Sequence, residues 1–283
     1  VCALVANAAS FVLPISNPAN LVVFRTGMPP LGKWLADFGV PSVLSIAATF
    51  LAMRSVFRED LRKRIEQEVD YAPLSGSGKL VLGGLAAMVA VLLAASAMNR
   101  DLGLPTCLAA LAITAVVSIR AKSNPMGLAR KIGWSTLLLV AGLFVMVDAV
   151  ESQGALKVTQ GWLEWASNLG PAVGAMAVGF AVGIANNLVN NLPLGLIAGG
   201  TLAAAHTKGL MANAVLIGVD VGPNLSVTGS LATILWLLAL RQDSGAEKLD
   251  VSFGRFLKVG IIAMPVALFA ALCGAIAMRT FFG

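Results

Sequence analysis

The chain has 283 residues, 58% of them hydrophobic and 12% charged, where soluble globular domains carry about 25% charged residues. With a mean hydropathy of +0.85, that balance describes an integral membrane protein. The formal net charge of +6 sits in short loops between apolar spans, a pattern of cytoplasmic anchoring that argues against a nucleic-acid partner. Cys2, Cys107 and Cys273 are far apart, lie in apolar context and form no CxxC spacing, so neither a metal site nor a disulfide framework is indicated, and no cofactor is expected. The chain opens on Val1 and not on Met, so a preceding segment is expected.

Residues 1–24 are apolar but interrupted by Asn7, Ser10, Ser16, Asn17 and Asn20, with Pro14 and Pro18 among them. Pro18 forces its predecessor out of the helical region, so the SNPAN run is not ordinary helix interior. A span over 34–53 completes a first unit, 1–53. The segment 54–79 is the only strongly charged one: Arg54, Arg58, Arg62, Lys63 and Arg64 interleave with Glu59, Asp60, Glu66 and Glu68. Their helical spacing reads as a solvated cytoplasmic linker helix. SGSGK at 75–79 lacks the first glycine and the final Ser/Thr of a phosphate-binding loop, so a nucleotide site is rejected.

Scaffold spans follow at 80–98 and 104–119, within 80–131, and residues 132–283 form a last unit that begins with a span over 132–150. Residues 155–169 place Leu156, Trp162 and Trp165 beside Lys157 and Glu164, which predicts an amphipathic helix at the membrane interface. From Trp165 to Thr207 there is no Asp, Glu, Lys or Arg. The centre of that segment is NNLVNN, with Asn186, Asn187, Asn190 and Asn191. Its apolar arms, 171–185 and 192–205, reach roughly 22 Å each, short of the ~30 Å hydrocarbon core, so 171–205 reads as a re-entrant hairpin with an amide-rich tip. Glycines 174, 179, 183, 195 and 199 allow the arms to pack closely. His206, near Lys208, reads as an interfacial residue.

The stretch 213–241 is long enough to cross a bilayer, yet Asp220, Gly222, Pro223, Asn224, Ser226, Thr228, Gly229 and Ser230 crowd its middle. Two half-helices meeting near the midplane are predicted there. At an offset of 210, Ser10 falls on Asp220, Ser16 on Ser226 and Asn20 on Ser230, so 1–24 and 213–241 form a pair of interrupted spans. Such pairs point to the solute site of a secondary transporter. A final span covers 259–279. With 54–79, 120–131 and 241–258 on one side, 14 of the 20 Lys and Arg lie there, which makes that side cytoplasmic. The alternation closes only if 171–205 enters and leaves on the same side.

GVDVGPNLSVTGSLATILWLLALR (218–241), NNLVNNLPLGLIAG (186–199) and VANAASFVLPISNPANLV (5–22) closely resemble the ArsB family of arsenite and antimonite efflux permeases. The resemblance covers essentially the whole chain. It implies the fold of the ion-transporter superfamily: an all-α polytopic membrane protein with inverted repeats, each carrying a re-entrant hairpin and a broken helix. It also implies proton-coupled efflux of arsenite and antimonite across the bacterial inner membrane by alternating access, in some members together with an ArsA ATPase. The family's first hairpin would precede residues 1–24 and is expected in the preceding segment.

The chemistry of the interruptions fits such a substrate. Arsenite at neutral pH is mainly a small neutral trihydroxide, which amides and hydroxyls can hold. The substrate-binding residues expected are Ser16, Asn17, Asn20, Asn186, Asn187, Asn190, Asn191, Asn224, Ser226, Thr228 and Ser230, with Asp220 as the proton-coupling group. No cysteine lies at either break, so thiolate coordination is not expected. The alternative is a sodium-coupled carboxylate or anion symporter of the same superfamily; it would show Ser-Asn-Thr signatures at the hairpin tips, which NNLVNN lacks. An intramembrane protease would need a second acid or a metal cluster, and neither is visible beside Asp220.

Overall fold

In the computed structural model, residues 2–62, 73–98, 100–121, 126, 127, 130, 134–243 and 251–282 are described. These residues contain helices and no strand. The helices are α1 (Cys2–Ala8), α2 (Pro18–Val23), α3 (Leu31–Val56), α4 (Gly76–Ala97), α5 (Gly103–Arg120), α6 (Trp134–Ser152), α7 (Ala155–Asn168), α8 (Pro171–Val189), α9 (Asn191–Ala204), α10 (Leu210–Val221), α11 (Leu231–Asp243) and α12 (Phe253–Phe282). Among them α3, α4, α5, α8 and α12 are long and apolar enough to cross a membrane. The chain is thus an all-α, multi-pass membrane protein.

Two compact units divide the chain. The smaller, Pro30–Gly32 with Lys63–Gly142, holds α4 and α5. Gly84 of α4 lies under Ile113 of α5, close enough that a Cβ would sit 2.6 Å from its Cγ2. Ser75 caps α4 by accepting from the Gly78 amide at 3.1 Å, so the SGSGK stretch is the first turn of a spanning helix. Most of the expected linker helix, residues 63–72, lies outside the described residues, and Asp60–Arg62 forms a single 3-10 turn.

The larger unit is built around α10. Val215 to Val221 are all buried, Val219 and Asp220 completely, which is the pattern of a helix enclosed on every side. It can be enclosed because glycines remove the side chains at its crossing with α8. A Cβ on Gly218 would lie 2.6 Å from the Gly179 carbonyl, and one on Gly222 2.5 Å from the Gly183 carbonyl. Two four-residue glycine steps therefore face each other, backbone on backbone, as close helix pairs in membranes require. Gly199 of α9 meets α2 in the same way, its missing Cβ 2.5 Å from the Val22 carbonyl. α12 lies over the interruption, with Gly260 directly against the Asn224 and Leu225 carbonyls.

Helices stop and restart within both stretches, and the gaps are alike in length. Between α1 and α2 lie residues 9–17; between α10 and α11 lie 222–230, which hold two 3-10 turns. Each ends in an extended N-cap, Asn17 at φ −145 and Ser230 at φ −141. This shared capping geometry falls at Asn17 and Ser230, 213 positions apart.

The hairpin departs from its expected form. α8 runs 19 residues, through Asn186 and Asn187 to Val189, so its reach is roughly 28 Å and close to the bilayer core. Only α9, with 14 residues, is clearly short. The turn is Asn190 alone, at φ 78 and ψ 155, outside the left-handed helical region and strained for any residue but glycine. Asn186 and Asn187 stay helical because their side chains, not their backbones, are engaged elsewhere.

The glycine crossing yields a direct test. Gly218→Ala overpacks it, at a cost of about 1–3 kcal/mol, whereas Gly39→Ala in α3, with nothing within 4 Å of its added Cβ, is neutral or stabilising by about 1 kcal/mol. Thermal unfolding in detergent reads both.

Candidate functional site

Prolines organise the polar centre. A proline has no N–H, so the carbonyl four residues before it loses its helical donor, and inside a bilayer that carbonyl must find another. Pro223 leaves the Val219 carbonyl without one, and the Asn186 amide donates to it at 2.6 Å. In the first interruption, which is turn and bend, Pro14 and Pro18 offer no N–H to the Ser10 and Pro14 carbonyls four residues before them. Asn20 Nδ2 serves both, at 3.1 and 3.4 Å, and the Leu13 carbonyl at 3.2 Å.

The other amides tie the segments together. Asn187 Nδ2 donates to the Gly183 and Gly222 carbonyls at 2.9 and 3.0 Å, while its Oδ1 accepts from Ser226 Oγ at 2.8 Å. Asn190 Nδ2 reaches the Thr228 carbonyl at 2.9 Å, and Thr228 Oγ1 donates to the Asn187 carbonyl at 3.1 Å. Asn224 Nδ2 donates to the Leu4 carbonyl of α1 at 3.0 Å. Asn17 Oδ1 caps α2 through the Ala19 amide, and its Nδ2 donates to Asp220 Oδ1 at 2.8 Å. A single side-chain bond thus links residues 203 positions apart.

This arrangement fixes which way the amides point. Only the nitrogen end of an amide side chain can donate to a carbonyl, so the nitrogens of Asn20, Asn186 and Asn224 face the backbone and their oxygens face away. Asn20 Oδ1, Asn186 Oδ1, Asn191 Oδ1, Asn224 Oδ1 and Asp220 Oδ2 are buried, with no hydrogen-bond partner among the described residues. The centre therefore presents acceptors. Residues 1–24, 165–207 and 209–240, which supply it, contain one charged side chain, Asp220.

Among the expected site residues, Asn17 meets Asp220, and Asn187, Asn190, Ser226 and Thr228 are bonded together at the second break. Asn186 bonds α10, Asn224 bonds α1, Asn20 bonds within its own interruption, and Asn191 is the buried residue opening α9. Two do local work. Ser16 is exposed and accepts from the Leu13 amide, and Ser230 caps α11 through the Ala232 amide. Asp220 lies in the last turn of α10, before the break. Two polar residues that the sequence reading did not place in the site, Asn7 and Thr233, are buried and joined at 3.3 Å; both are legible as polar residues in apolar spans.

A buried polar centre between two interrupted helices of a multi-pass membrane protein is the arrangement that secondary transporters use for their solute sites. Residues 1–278 match the family model described as "Arsenical pump membrane protein", ArsB. Arsenical pump membrane proteins of Yersinia enterocolitica and Escherichia coli K12 are each 27% identical to the chain, over 97% and 98% of it and 65% and 66% of themselves. An uncharacterized transporter of Synechocystis is 22% identical over 94% of the chain and 65% of its own length. The chain belongs to the ArsB family. It spans about two thirds of the length of these relatives.

The proline–asparagine compensation is tested by a pair of substitutions. Asn186→Leu leaves the Val219 carbonyl without a donor, at about 1–3 kcal/mol. Pro223→Ala added to it returns a backbone N–H and recovers part of that loss in thermal unfolding.

Proposed function

We propose that this chain is the membrane-embedded core of a proton-coupled exporter of arsenite and antimonite in the bacterial inner membrane, working by alternating access. One observation carries the reading: the polar centre of an ArsB-family chain offers inward-facing oxygens, one acid and no cation. Acceptors without donors suit a solute that brings its own, as a neutral trihydroxide does through its O–H groups. An oxyanion or dicarboxylate would meet lone pairs with lone pairs and would find no Lys or Arg to pair with. The relatives' printed name, arsenical pump, supports the same cargo.

Asp220 is the proton-coupling group in this reading. It is fully buried, it is the only acid in the contributing segments, and one of its oxygens is unpartnered among the described residues. Asn17 ties it to α2, so a proton taken up at Asp220 alters the bond between the two interruptions. The helical hairpin α8–α9 is re-entrant here, its shorter arm turning back at Asn190. The two interrupted spans belong to inverted repeats, supported by their matched N-caps. Coupling to an ArsA-type ATPase is part of the same proposal and rests on the family alone.

Sodium coupling is the second reading, favoured by the same buried oxygens, since four amide carbonyls and one carboxylate also suit a hard monovalent cation. Everted membrane vesicles carrying the full-length protein separate the two. Arsenite accumulation that follows an imposed proton gradient, is abolished by a protonophore and falls at least tenfold in Asp220→Asn supports the proposal. Accumulation that follows sodium, or that Asp220→Asn leaves at the wild-type rate, overturns proton coupling at this residue.

A further inference from the structure

Three hydroxyls of α3 play no part in the centre described above. Ser42, Ser45 and Thr49 share one helix face at i, i+3 and i+7, and are 2%, 0% and 0% exposed. None of their oxygens has a hydrogen-bond partner among the described residues. A helical Ser or Thr has a ready acceptor in the carbonyl four residues back, and Ser55, Thr106, Ser167 and Thr280 each take it. The three α3 hydroxyls forgo it. A buried unpaired hydroxyl is a standing cost to the fold, and Ala or Val at these positions would remove that cost.

The surroundings show what this face looks toward. At one end Trp34 Nε1 donates to the Phe11 carbonyl at 3.0 Å, and the Phe38 ring meets Phe11 edge-on at 6.1 Å. At the other end Ala52 and Met53 pack in a cluster with Leu4, Phe256 and Ala263. Phe11 thus lies at one end of the hydroxyl stretch of α3 and Leu4 shares the cluster at its other end, with Asn7 and Ser10 between them in sequence. Asn7 bonds Thr233 of α11, and the Leu4 carbonyl bonds Asn224 of the break. Buried polar contacts thus run from the break and from α11 to α1, the segment whose two ends meet the two ends of the hydroxyl stretch.

We propose that Ser42, Ser45 and Thr49 line a passage for water and small hydroxylated solutes, closed in this conformation and open in another state of the transport cycle. In the open state the three hydroxyls regain hydrogen bonds that the closed state denies them. This inference rests on the chain being a transporter, not on arsenite being its cargo. Gly274 of α12 supports the closed arrangement: its missing Cβ would lie 2.8 Å from Leu44 and 3.2 Å from Pro41 Cα, so α12 holds α3 against the bundle at the proline just before the hydroxyls.

The test uses the full-length protein in native membranes, with Cys2, Cys107 and Cys273 replaced by serine. Ser42→Cys, Ser45→Cys and Thr49→Cys are each treated with a small, hydrophilic, cationic thiol reagent, beside Val43→Cys and Leu51→Cys on the outward face, where the native side chains are 66% and 59% exposed. Labelling at 42, 45 and 49 at least tenfold faster than at 43 and 51 is expected. Equal or slower labelling overturns the passage, whatever the cargo proves to be. Thr49→Val adds an independent reading: it keeps or raises the thermal midpoint while lowering solute flux at least fivefold. A midpoint kept with flux unchanged makes Thr49 a structural residue only and overturns its role.

Discussion

The carbonyls that prolines leave without donors are the constraint on which the polar centre depends. In a bilayer no solvent relieves them, so the chain must supply N–H groups from side chains. Asn186 does so for Val219, and Asn20 for Ser10 and Pro14. Each repair uses the nitrogen end of an amide and turns the oxygen end toward the interior. The orientation of Asn20 and Asn186 is thus tied to Pro14, Pro18 and Pro223, while Asn224 turns its oxygen the same way by donating to the Leu4 carbonyl.

The repair works only at short range, and the glycine crossing provides that range. With Gly179 and Gly183 of α8 lying on Gly218 of α10 and on Gly222 just past its end, Asn186 and Asn187, on the next turn of α8, arrive at the Val219 and Gly222 carbonyls. A bulkier crossing would lift them beyond hydrogen-bond distance. The same logic seats α2 against α9 at Gly199, which sets Asn17 where it reaches Asp220. Close backbone packing is thus what allows a site made of short amide side chains in place of long charged ones.

Much of this was legible in the sequence. Pro223 between Gly222 and Gly229 marked the break, and a lone Asp220 in an apolar span marked the buried acid. The shared capping of the two interruptions was not legible from residue type, because Asn17 and Ser230 are alike in extended backbone and not in side-chain chemistry. Asn186 and Asn187 read as a loop, since four asparagines in six residues suggest a turn; they are helical because their side chains serve another helix. The Asn17–Asp220 bond joins residues too far apart for any local pattern to reveal. The α3 hydroxyls escaped notice because Ser42, Ser45 and Thr49 are common in packed membrane helices, and only their lack of partners sets them apart.

The central claim is that oxygens of the asparagine-lined centre, and no thiolate, hold the solute. Arsenic X-ray absorption on the full-length protein, loaded with arsenite and freed of excess, addresses it most directly. The account predicts a first shell of oxygen only, with arsenic content falling sharply in Asn17→Ala. A sulfur shell around the arsenic, or undiminished arsenic in Asn17→Ala, would contradict it.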